Sequence, residues 1–166
     1  MKKIICGLVV ALGSGFVLLA ADNDNVFVGT WKMNVAKSSA MQFAGDKGLI
    51  KKSEIKDDVM VVTVEGETTT VREHSTLSGQ PVSSAFTVPL GGGPLNFSEG
   101  APPAGITDAS KKIDDLTTEI TSTMNGNVIL TTRARVSPNH KMMTITTSGA
   151  DEKGKAFKTV TIYDRQ

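Results

Sequence analysis

The side chains able to do chemistry are few in this chain and poorly grouped. His74 and His140 are the only imidazoles in 166 residues, and Cys6 is the only thiol. A metal centre needs several ligands at fixed spacing, and nucleophilic catalysis needs a base beside an activated serine or cysteine. Neither arrangement can be read here. His140 falls in Ser137-Pro138-Asn139-His140, which reads as a turn, and His74 follows Glu73 in a polar strand. Both are expected on the solvated surface. Asp57-Asp58 and Asp114-Asp115 have the composition of a paired-carboxylate or cation site, but acidic pairs beside strand ends read as turns. Gly91-Gly92-Gly93 lacks the Lys-Ser/Thr ending and the following helix of a phosphate cradle. Met33, Met60, Met124, Met142 and Met143 recur at strand spacing as core fillers and not as a soft-metal set. The expectation is a protein without catalytic residues, metal or cofactor.

The elements that would position any site begin after a leader. Residues 1–21 follow the secretory pattern: Met1-Lys2-Lys3, an apolar run over 4–19, then small Ala20-Ala21. Gly13-Ser14-Gly15 interrupts a run barely long enough to span a bilayer, so cleavage is expected and stable membrane insertion after it is not. One domain over 22–166 remains, long enough for a real core. With Cys6 in the leader, the mature chain has no thiol and can enter an oxidising compartment without wrong disulfides. Losing Lys2 and Lys3 leaves 16 basic residues against 17 acidic ones. That balance, with no concentrated basic face, argues against nucleic-acid binding.

Strand signals start at Phe27-Val28-Gly29-Thr30-Trp31-Lys32-Met33, which holds the only tryptophan. A strand over 27–35 puts Phe27, Gly29, Trp31, Met33 and Val35 on one face. Ser38 or Ser39 could then cap a helical turn over 40–44, closed by Gly45. Strands are expected over 49–56, 59–64, 68–77 and 82–88, with turns at Asp57-Asp58, Glu65-Gly66-Glu67 and Ser78-Gly79-Gln80-Pro81. Residues 89–105 are rich in proline and glycine, cannot sustain a ladder, and read as a long functional loop. The pattern resumes over 110–113, 116–124, 128–136, 141–148 and 156–164, with Asn125-Gly126 as a type I′ hairpin turn and 151–154 as another turn. Val128, Leu130, Ala134 and Val136 would share one face and Arg133 and Arg135 the other, a phase that one bulge would reverse. About nine strands in adjacent hairpins give an all-β fold, a single antiparallel up-and-down barrel whose closure removes exposed edges.

The stretch from Phe27 to Met33 resembles the first strand of the intracellular fatty-acid-binding proteins, and Gly29-Thr30-Trp31 fits the wider lipocalin Gly-x-Trp signature. Ile162-Tyr163-Asp164-Arg165 is similar to the ending of the same barrels. Over residues 24–166 the chain also resembles a group of small secreted bacterial lipocalin-like proteins, through Gly29-Thr30-Trp31-Lys32, Val62-Thr63-Val64-Glu65-Gly66 and the Tyr163 to Gln166 ending. That resemblance implies a bacterial periplasmic or secreted location and carries no activity with it. The lipocalin resemblance implies a structural pair at the barrel floor, with Arg165 stacked on Trp31. Fatty-acid-binding barrels also hold a ligand carboxylate with an inward arginine two residues before the tyrosine. Here Tyr163 matches, but that position is Thr161. After Met33 the likeness ends, and a lid of two helices does not fit.

Two functions follow. The first is a non-enzymatic exported barrel holding a small apolar or amphipathic molecule, with Met33, Phe157, Thr161 and Tyr163 as candidate ligand-binding residues. The second is a packed barrel acting as an envelope structural or protein-interaction module with an unspecified protein partner, a reading that 5% aromatic content favours slightly. A continuous interior cavity favours the first. A filled interior with a flat apolar patch outside favours the second.

Overall fold

Threonines and β-branched residues dominate the chain after Gly29, and they fit a pleated, half-buried surface better than a helix. The computed structural model describes residues 25–42, 49–150 and 154–166, and the expected leader over 1–21 lies outside them. Among the described residues there are thirteen strands: β1 (Gly29–Met33), β2 (Ala40–Gln42), β3 (Leu49–Lys51), β4 (Ile55–Glu65), β5 (Thr68–Leu77), β6 (Gln80–Pro89), β7 (Gly92–Pro94), β8 (Asn96–Glu99), β9 (Ile106–Asp114), β10 (Thr117–Met124), β11 (Asn127–Val136), β12 (Met142–Ala150) and β13 (Ala156–Arg165). A 3-10 turn, Lys52–Glu54, is the one helical element described. No helix among the described residues is long and apolar enough to cross a membrane.

Eleven strands form one antiparallel sheet in the order β7-β9-β10-β11-β12-β13-β1-β4-β5-β6-β8, and β2 pairs with β3 in a separate small ladder. The sheet is a nearly closed barrel with eleven strands where about nine were expected. Most hairpins fall where turn chemistry puts them. Asn125 and Gly126 have φ of 51° and 77°, the positive values of a type I′ turn. The first and last described strands meet: β1 lies between β13 and β4, with Trp31 opposite both Arg165 and Met60.

Three local expectations are corrected. The helical turn over 40–44 is not formed in its described part, because 40–42 pair with 49–51 as strands; residues 43–45 lie outside the described set, as do 151–153 of the last expected turn. The chain enters β2 already held to β13, since Ser39 donates its amide to Val160 and accepts from the Val160 amide through its hydroxyl. Asp57-Asp58 is not a turn either. β4 runs straight through it, after a register shift at Lys56, to pair Asp58 with Ser75. The bend instead occupies Lys52–Glu54, where the Lys51 amide donates to the Glu54 carboxylate.

The third correction concerns 89–105. This proline- and glycine-rich stretch does sustain ladders, and they close the barrel. β7 pairs with β9, the Leu95 amide donates to Asp108 O at 2.9 Å, and β8 then pairs with β6. One short segment therefore crosses from one sheet edge to the other. Pro94 is tolerated because the strand is three residues long and the next amide supplies the donor. Gly92 is required there: its φ is +96°, and a Cβ would lie 2.5 Å from Ser110 O. Gly92→Ala should cost about 1–3 kcal/mol in urea unfolding and strip hydrogen-exchange protection from Leu95. An unchanged midpoint with Leu95 still protected would show that the seam does not depend on this contact.

Candidate ligand-binding cavity

Because side chains on a strand alternate between faces, every second residue of the barrel points inward. Ser84, Phe86 and Val88 from β6, Thr118, Ile120 and Ser122 from β10, and Met143, Ile145 and Thr147 from β12 do so, and together with the other strands they enclose a cavity of about 890 Å³. Volumes of this size hold a drug-sized molecule. The seam contributes Leu95 and Phe97, with Phe97 tilted against Phe86 at 5.4 Å between ring centroids. The rest of the interior is filled by an apolar cluster of Trp31, Met33, Ile55, Val62, Leu77, Val136, Met143 and Tyr163. Val62, Met143 and Tyr163 belong both to that cluster and to the cavity wall, so they mark the boundary.

Trp31 is fully buried in the cluster and donates its indole N–H to Phe27 O at 2.8 Å. The Arg165 guanidinium lies 4.1 Å above its ring. Arg165 is fixed by three carbonyls: Nη1 donates to Val28 O at 2.6 Å, Nε to His140 O at 2.6 Å, and Nη2 to Val26 O. Gly29 lets it pass, for a Cβ there would meet Arg165 Nη1 at 2.7 Å.

Of the four candidate ligand contacts, Thr161 and Tyr163 line the cavity. Met33 and Phe157 do not. Met33 is packed in the apolar cluster, and Phe157 lies opposite Gly149 on β12. Arg133 and Arg135 are exposed, and Arg133 pairs with Glu119 at 2.6 Å. A bulge puts Ile129 as well as Leu130 on the cavity wall, so Val128, expected on the inner face, is 62% exposed. His74 and His140 are exposed, as expected.

The polar centre of the wall is a pair of acids, Asp58 and Glu73, reached by the Tyr163 hydroxyl. Asp58 is fully buried and accepts a short hydrogen bond from the Ser75 hydroxyl through Oδ2, while its Oδ1 has no donor. Glu73 lines the cavity, accepts from Ser84 Oγ at 3.2 Å, and has Tyr163 Oη 3.5 Å away. Burial raises the Asp58 carboxyl above its ordinary range. Burial, and then the charge of Asp58, push Glu73 well above its own. Burial and the two carboxylates do the same to the Tyr163 phenol. A proton on Glu73, shared with Asp58, relieves the repulsion between like charges. Lys112 is the one cation among the lining residues, and it pairs with Asp115 at 2.7 Å at the exposed rim.

A point mutant of the fluorescent protein UnaG, known from its crystal structure, superposes with a TM-score of 0.53 at 12% identity, over 85% of this chain and 96% of that one. The fold is a calycin-like antiparallel barrel. No protein-family model matches the chain, and no curated protein matches it significantly.

Sequence reasoning missed Asp58 and Glu73 as inward groups. A signal was present: Asp58 is in phase with Met60 and Val62, and Glu73 with Val71, Ser75 and Leu77, which are inner-face residues.

Proposed function

We propose that this protein is an exported, non-enzymatic barrel that binds a small hydrophobic or amphipathic molecule in its interior. The observation that carries the reading is the continuous cavity of about 890 Å³, walled by apolar and hydroxyl side chains. The calycin-like fold supports it, as does the leader-like stretch over 1–21 for export to a bacterial periplasm or medium. The interaction-module reading called for a filled interior, and the interior is open.

Native mass spectrometry of the mature protein taken from its producing cell, followed by organic extraction, tests the proposal. A stoichiometric small molecule of mixed polarity is expected. A clean apo mass, together with no uptake of any hydrophobic probe, would sink it.

A further inference from the structure

The cavity is apolar over much of its wall but one-sided in charge. Glu73 and Asp108 line its interior, and the exposed Asp114, Asp115 and Lys112 stand at its rim, where Lys112 is already paired with Asp115. Asp108 Oδ1, on the cavity wall, is a buried carboxylate oxygen with no donor, and Asp58 Oδ1, on a fully buried side chain beside Glu73, has none but the proton it shares with Glu73. The groups facing Glu73 from the elements around it are Asp58 on β4, Ser84 on β6 and Tyr163 on β13. None is a cation. A buried acceptor without a donor costs free energy until a donor arrives. A wall with two inward acids, whose one lysine is committed to Asp115 at the rim, favours an arriving positive charge and disfavours a negative one.

Resting on the binding reading above, we infer that the natural ligand is an amphiphile with a protonated amine head, seated on Glu73 with Asp58 behind it, and an apolar tail. The tail would lie along Phe86, Phe97, Ile120 and Ile145. The ammonium takes the place of the proton that the acid pair otherwise shares, so binding releases that proton to solvent. No covalent step is involved.

The test compares three probes of one chain length, each below its micelle concentration: dodecylamine, dodecanol and dodecanoate. Isothermal titration calorimetry at several pH values from 5 to 8, each in two buffers of different ionisation enthalpy, reads both affinity and proton release, the release being expected wherever the folded protein still holds the Glu73 proton. Dodecylamine is expected to bind about tenfold or more tightly than dodecanol, with dodecanoate weakest of the three. Proton release should accompany the amine and not the alcohol. Glu73→Gln should abolish the amine preference, and an unchanged far-UV circular dichroism spectrum with a cooperative thermal transition shows that the variant is folded. Equal binding of amine and alcohol, or tightest binding of dodecanoate, overturns this inference and leaves the binding cavity standing. Failure of all three to bind, with no probe taken up, overturns the cavity reading and this inference with it.

Discussion

Trp31→Ala is expected to lower stability by about 3–5 kcal/mol, the range for deleting a buried aromatic side chain. Three losses coincide at that position. The ring is fully buried in the apolar cluster, its N–H has a carbonyl partner at Phe27, and the Arg165 guanidinium lies on its face. The stacked cation alone is worth about 0.5–2 kcal/mol. Equilibrium urea unfolding of the protein gives the number, and a thermal scan should show a fall of about 10 °C or more. Trp31→Phe keeps most of the buried area and should lose less. A loss under about 1 kcal/mol for the alanine variant would mean that Trp31 does not organise the barrel.

The acid pair sets the second large effect, which is a slope against pH. In the folded protein Glu73 holds its proton to higher pH than in the unfolded chain, where the carboxyl titrates near ~4.3. Between those two values the native state binds more protons than the unfolded state, so stability falls as pH rises. The contribution is fully present below ~4.3 and is lost as pH climbs through the native value. Asp58, raised in the same direction, adds to the slope. Glu73→Gln removes the ionisation and keeps a donor for Asp58. It should flatten the profile and stabilise the protein at pH 8 by about 1–3 kcal/mol, the scale of one uncompensated buried polar group. Unfolding free energies from pH 5 to 8 decide it. Wild-type stability rising with pH, or wild-type and variant curves running parallel, would exclude a proton held by this pair.

These two sites differ in how well the sequence announced them. Trp31 and Arg165 could be matched because β1 and β13 both carry recognisable residues and the fold pairs those two strands in register. Hairpins such as Asn125-Gly126 were legible because the turn needs residues that tolerate positive φ. The seam was not, because glycine and proline in 89–105 signal a break in an isolated strand, whereas here they allow β7 to approach β9 closely. The acid pair was hidden for a different reason. Adjacent aspartates favour turns, and only the phase of the neighbouring valines places Asp58 inside. Phase also failed at Val128, where the bulge at Ile129 shifts the register by one. Pocket geometry depends on several strands at once, so no reading of β1 or β13 alone could separate Thr161 and Tyr163 from Met33 and Phe157.

The pairing of β1 with β13 also dictates an order of events. Trp31 lies on β1, the first described strand, yet the arginine that covers it stands at the end of β13, the last one. Closing a loop that spans every strand from β2 to β12 is entropically costly, and the reward for it comes only when both β1 and β13 are present. A ribosome still making β13 therefore carries a chain that cannot complete its barrel. Such a chain stays open until β13 is made, and β1 is flanked on both sides only then.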